Sequence, residues 1–354
     1  MMLPLVRRRA PWTALFMMAA PALLLALMGS ILLSTTLLAS PGNSLAFVSD
    51  RAGLRNLFLA DSDRRMIYPI TTPNSGHYSA PQWSPDGRAL MYSINDGIDM
   101  AGANYLEVLD IQFDHVRYSA SNHYDILSKT WSGDGAHIGF TSQQINRYRG
   151  IVFDLNTASF QDITGDLRDI FSLSFSPDGQ QIAFASSGDI YRIDLRTNTR
   201  VELTGDGVED LDPVWSPNGE WIAFRSLRTS VWENYLMRPD GSGLRYVANG
   251  ANSPDFYPVW SPDGRYIAFS SRRDGNFEIY VVEITENPSV PIQRLTHHRA
   301  DDIQPNWSPD GQQLAFTSNR SGSTEIYIMN RDGSSLRRLT FHPGQDYSPA
   351  WRPR

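Results

Sequence analysis

Along most of this chain, apolar residues come in short runs rich in β-branched and aromatic side chains, separated by turns of Gly, Pro, Asp and Asn. Tyr266-Ile267-Ala268-Phe269-Ser270 and Glu278-Ile279-Tyr280-Val281-Val282 are typical. Runs of this length, bounded by turn residues, predict strands. The pattern also repeats. Trp83-Ser84-Pro85-Asp86-Gly87 returns as Trp131-Ser132-Gly133-Asp134-Gly135, Phe175-Ser176-Pro177-Asp178-Gly179 and Trp215-Ser216-Pro217-Asn218-Gly219. It returns again as Trp260-Ser261-Pro262-Asp263-Gly264 and Trp307-Ser308-Pro309-Asp310-Gly311, and a last copy, Trp351-Arg352-Pro353, stops short. The aromatic positions are 48, 44, 40, 45, 47 and 44 residues apart, a period that fits a four-stranded propeller blade.

Within one repeat the strands follow in order. Strand A holds Val259-Trp260, and the Ser-Pro-Asp-Gly turn has Pro preset at its second position and Gly free to take positive φ. Strand B is Tyr266–Ser270, strand C is Glu278–Val282, and strand D ends at Gln293-Arg294-Leu295-Thr296. The chain stops three residues after Trp351, whereas Leu45-Ala46-Phe47-Val48 begins as a strand B with no strand A before it. The two ends therefore predict one shared blade. The C-terminus supplies its strand A and residues 44–72 supply strands B, C and D. The expected fold is all-β: a seven-bladed propeller over 45–354, closed so that no sheet edge is left open.

The seven in-phase copies resemble the TolB-like, WD-like β-propeller repeat family. The six-bladed form for which that family is named carries a separate N-terminal α/β domain; here only a few residues separate a hydrophobic segment from the first strand. The resemblance implies a propeller and leaves its function open, because propellers host many activities. Seven-bladed oligogalacturonate lyases resemble this chain in repeat and use a His-ligated metal; no ligand position is carried over from them. With strand A as the last element, no catalytic domain is expected beside the propeller.

The N-terminal segment breaks the strand pattern. Arg7-Arg8-Arg9 precedes a stretch without charge from Ala10 to Ser49, apolar from about Trp12 to Leu38. A membrane span needs ~20 apolar residues and a signal-peptide core only ~7–15. On length, 12–38 reads as an uncleaved signal-anchor in preference to a cleaved signal, with 1–11 a basic cytoplasmic region and 39–44 a linker. Arginine before the span and none after it until Arg51 place the propeller outside the cytoplasm, in the periplasm or at the cell surface.

Composition narrows the chemistry. There is no Cys, which excludes disulfides, thiolate metal sites and a Cys nucleophile. A net charge of −7 argues against nucleic acid, which needs a basic footprint. No Gly-x-Ser-x-Gly elbow and no phosphate-loop motif occur.

Strand alternation puts the D–A and B–C loops on one face and the Ser-Pro-Asp-Gly turns on the other, where each Asp reads as a backbone hydrogen-bonder. On the first face, Asp210, Asp255, Asp302 and Asp346 stand five residues before the aromatic, and Arg51, Arg228, Arg273 and Arg320 stand four after the strand B aromatic. The recurrence predicts structural Asp–Arg pairs between blades. A polar ring that receives a cation or a charged partner group is the sharper alternative. His297, His298 and His342, with Asp302, are candidate ligands for a divalent cation in the D–A loops; no other cofactor is expected. Longer B–C loops are expected at 99–104, 143–149 and 227–234, where Tyr148 and Trp232 are the residue types that anchor interfaces. Two functions follow. The favoured one is a membrane-tethered scaffold that binds a protein or an envelope polymer. The other is a metal-dependent, polysaccharide lyase-like enzyme with its site at the channel mouth.

Overall fold

The computed structural model describes residues 43–63, 66–71, 77–95, 104–111, 115–120, 126–144, 147–247, 253–287 and 291–354. The expected membrane segment 12–38, its basic flank 1–11 and most of the linker 39–44 lie outside them.

Seven four-stranded antiparallel sheets make up the described residues. Six run A-B-C-D in chain order. The remaining one, the first blade, takes its strand A, Asp346–Trp351, from the C-terminus and pairs it with Ser44–Ala52, followed by Leu54–Asp61 and Ile67–Pro69. Leu45 stands opposite Trp351 and Ser49 opposite Asp346. The ring closes as expected.

The core is shared between blades. Buried side chains fall into seven clusters, each drawn from two neighbouring blades. The strand B aromatics Phe47, Phe184, Phe224, Phe269 and Phe316 are fully buried in them. A blade alone would leave one greasy face in water, so burial of apolar area requires the neighbour. The repeat's Trp adds a directional bond. Its indole N–H donates to a carbonyl of the preceding blade's strand A: Trp83 to Ala350 (3.0 Å), Trp131 to Gln82 (3.3 Å), Trp260 to Val214 (3.1 Å) and Trp307 to Val259 (3.2 Å).

Strand A is longer than its sequence suggests. In the sixth blade it runs Asp255–Trp260, straight through Pro258. The register shifts between Phe256 and Val259, so two residues oppose one on strand B. This β-bulge recurs with a left-handed residue before a proline at Ala80, Asp212, Tyr257, Gln304 and Ser348. A bulge leaves an amide without a ladder partner, which is where proline costs the sheet nothing. The third blade also differs from expectation. Strands His137–Gln144 and Arg147–Asp154 take up the described part of the segment expected as a long B–C loop at 143–149, with Tyr148 opposite Gln143.

Candidate functional site

The Ser-Pro-Asp-Gly turns are local scaffolding. In the second blade Ser84 Oγ donates to Asp86 Oδ1 (2.6 Å), and the Arg88 N–H donates to the same oxygen (3.0 Å). The Ala89 N–H returns to Ser84 Oγ (2.9 Å), and Gly87 takes φ +65. Each of these carboxylates is engaged in its own turn.

On the opposite face, the Asp and Arg residues do meet, but within blades and not between them. Asp346 holds Arg51 at 2.6 Å, Asp255 takes Arg273 through both oxygens at 3.1 Å, and Asp210 and Asp302 pair with Arg228 and Arg320. Asp opens strand A and Arg follows strand B, and these adjacent strands of one sheet end side by side. All four carboxylates are buried. Burial outweighs the guanidinium beside Asp255 and pushes its carboxyl up to about 6. It raises Asp302 and Asp346 as well. Each Arg also lies over two aromatic rings of its own blade, as Arg273 does over Phe269 (5.3 Å) and Tyr280 (4.9 Å). These arginines are therefore consumed internally.

The candidate metal residues are not gathered. His298 and His342 use Nδ1 to accept the N–H groups of Ala300 (3.0 Å) and Gly344 (2.9 Å), a turn cap in each D–A loop. His297 is exposed and Asp302 is tied to Arg320. Among the described residues no three His, Cys, Asp or Glu side chains form a metal-holding group. A cavity of about 380 Å³ lies elsewhere, on the outer strands of the third and fourth blades beside Asp162, Asp166 and Arg200. Its carboxylates are engaged by Arg149 and Arg200.

Around Trp232 the face is different. Arg225 lies between the half-buried rings of Trp232 (5.0 Å) and Phe256 (5.6 Å), and its Nε donates to Asp212 at 2.7 Å. Phe277 meets Phe256 edge-on at 5.6 Å, with exposed Arg272 over it at 4.7 Å. Tyr257, 49% exposed at the bulge of its inner strand, borders the group. Tyr148 is not part of it. Its N–H donates to Asp169 (2.7 Å) and its ring lies 6.1 Å from the exposed Phe171, two blades away. Of this cluster the sequence points to Trp232 alone. The remaining signal was the bulge, which brings Asp212 and Tyr257 to the inner wall.

Known proteins place the fold. The family model described as TolB beta propeller domain matches residues 99–254 and 245–354. No curated protein matches the chain. The crystal structure of TolB from Acinetobacter baumannii is similar, with 22% identity over 85% of this chain and 79% of that one, TM-score 0.53. The Cps50 (Swd1) β-propeller domain of Myceliophteria thermophila shares 15% identity over 80% and 93%, TM-score 0.62. An oligogalacturonate lyase in complex with manganese shares 14% over 86% and 87%, TM-score 0.61. At these identities the likeness is one of fold.

Proposed function

The chain belongs to the TolB beta propeller domain family, and from that premise we propose that it is a non-catalytic binding scaffold that presents its D–A and B–C face to a partner protein or envelope polymer. The observation that carries this is the cluster of Trp232, Arg225, Phe256, Tyr257 and Phe277. Aromatic and Arg side chains in one partly exposed patch are what anchor interfaces, whereas the recurring acids and arginines of the same face are engaged with one another. The reading includes the tether. Segment 12–38 holds the propeller on the extracytoplasmic side, supported by its length and by the arginines before it.

A photo-crosslinking residue placed at 257 in the full chain, in native membranes, is expected to capture a discrete adduct that the same residue at 332, on the opposite face, does not. Trp232→Ala should reduce that adduct by at least about fivefold, a loss of ~1 kcal/mol at an anchor. Equal capture from both faces would remove the basis for this face. A metal-dependent enzyme at the channel mouth is the second reading. It draws on the fold shared with the manganese-bound lyase, and manganese-dependent depolymerisation of an acidic polysaccharide, lost in His297→Ala, would establish it.

A further inference from the structure

One blade departs from the repeat beside the aromatic cluster. In the ladder between strands B and C, Ala185 faces Ile190, Ser270 faces Ile279 and Thr317 faces Ile326. The other sister blades have Leu57, Leu106 and Gly150 in the strand C place. In the fifth blade the same pair is Arg225 and Asn234. A third position of the repeat changes with it. Ile190, Ile279 and Ile326 each donate a backbone N–H to a Thr hydroxyl, of Thr204, Thr296 and Thr340, at 2.9 Å. At that point the fifth blade reads Val247-Ala248, and Ala has no hydroxyl to offer.

Asn234 is 1% exposed, and neither its Oδ1 nor its Nδ2 has a hydrogen-bond partner among the described residues. The sister blades have no such group, because the residue in its place is aliphatic or Gly in all six. An unpaired buried carboxamide destabilises a fold, so its presence in one blade alone calls for a reason. Trp232 stands two residues before Asn234, and strand alternation puts the two side chains on one side. Arg225 is the neighbour of Asn234 across the ladder. The side chain whose guanidinium lies between Trp232 and Phe256 is thus the movable cover over the amide. Asp212, 45% exposed at the bulge, is placed to keep hold of Arg225 as it moves off the rings.

Resting on the scaffold reading above, we propose that this cluster binds an acetamido sugar of an envelope polymer, with Asn234 recognising the acetamido group and Arg225 as the cover that withdraws. Three features select that chemistry. Arg225 and Asp212 neutralise each other, so the floor of the site holds no net charge for an ion. Trp232, Phe256 and Tyr257 supply ring faces beside planar polar groups. That combination suits a pyranose, whose weakly positive C–H groups lie on the negative face of a ring. Asn234 is short of both a donor and an acceptor, and an acetamido group brings a carbonyl, an N–H and an apolar methyl together.

Calorimetric titration of the full chain, in a detergent without a sugar headgroup, with a tetramer of N-acetylglucosamine tests it. Binding is expected, at least about tenfold tighter than that of the glucose tetramer of the same linkage, which lacks the acetamido groups. Asn234→Ile installs the sister residue. It should weaken binding by at least about tenfold and raise Tm, since an unpaired amide leaves the core. No binding of the N-acetylglucosamine tetramer, equal binding of the glucose tetramer, or unchanged binding by Asn234→Ile would overturn the proposal. So would a lower Tm in that variant, because ordered water would then serve the amide as part of the fold. A protein adduct captured from position 257 without tetramer binding would overturn the sugar and leave the scaffold standing; failure of both would remove both.

Discussion

Lys129 stands in the inner strand of the third blade, two residues before the aromatic, where other blades have Leu173, Pro213 or Pro258. It is the chain's single lysine. Its ammonium donates to Ser93 Oγ of the second blade at 2.9 Å, and no ion pair to it forms among the described residues. Burial pushes its pKa down to about 8 from an ordinary 10.5. Between those values the unfolded chain holds more protons than the folded one, so stability rises with pH across that window; below about 8 the fold carries the full cost of a buried ammonium. Lys129→Met should therefore raise Tm at pH 7, with the gap to wild type shrinking as pH climbs from 8 to 10. Scanning fluorimetry across that range checks it, and a gap independent of pH would assign the effect to packing. At this scale the sequence was partly legible. Asp and Arg were visible because each keeps a constant distance from the repeat's aromatic. That Asp255 meets Arg273 inside one blade was not, since pairing depends on which strand ends lie side by side. Arg225, Phe256 and Phe277 escaped for a different reason: a reading built on recurrence sees what every copy shares, and not every copy has these residues.

Strands B and C could be read directly, because alternation and β-branched content survive in each copy. Strand A could not. Its proline reads as a strand boundary, and only the bulge, a backbone event with no side-chain signature, lets the strand continue to Asp255 or Asp302. Strand A also carries the indole bonds that tie neighbouring blades, and these are unequal. Trp83 bonds Ala350 across the closure, whereas the buried Nε1 of Trp215 has no partner. Trp83→Phe should thus cost about 1 kcal/mol more than Trp215→Phe, the net worth of one hydrogen bond, measured as the difference in urea midpoints. Equal costs would show that the indoles act by bulk alone. Arg352 reinforces the same closure. It is buried, bonds Gly87 O at 2.7 Å and lies 5.1 Å over the Trp83 ring.

For the molecule as a whole, seven shared cores mean that no blade is self-sufficient, and the first depends on chain ends some three hundred residues apart. A chain truncated before Asp346 would lose the strand that pairs with Ser44–Ala52 and expose that edge. It should form more soluble aggregates or edge-paired dimers on size exclusion than the intact chain does under the same conditions. A truncated chain that stays monomeric with an unchanged Tm would mean that closure contributes little. The blade count was legible in the sequence because the stub at Trp351 and the orphan strand at Leu45 complement each other; the loop face was not, because loops carry no period. The indole bonds add one more consequence. Each of the four reaches back to its predecessor, so the ring has a sense of rotation, and the accepting carbonyl is always that of the residue just before the preceding blade's aromatic. An inserted copy of one repeat would find its socket and provide another. Growth of such a ring in steps of one period would then have to preserve only the closure, where the C-terminal strand pairs with Ser44–Ala52.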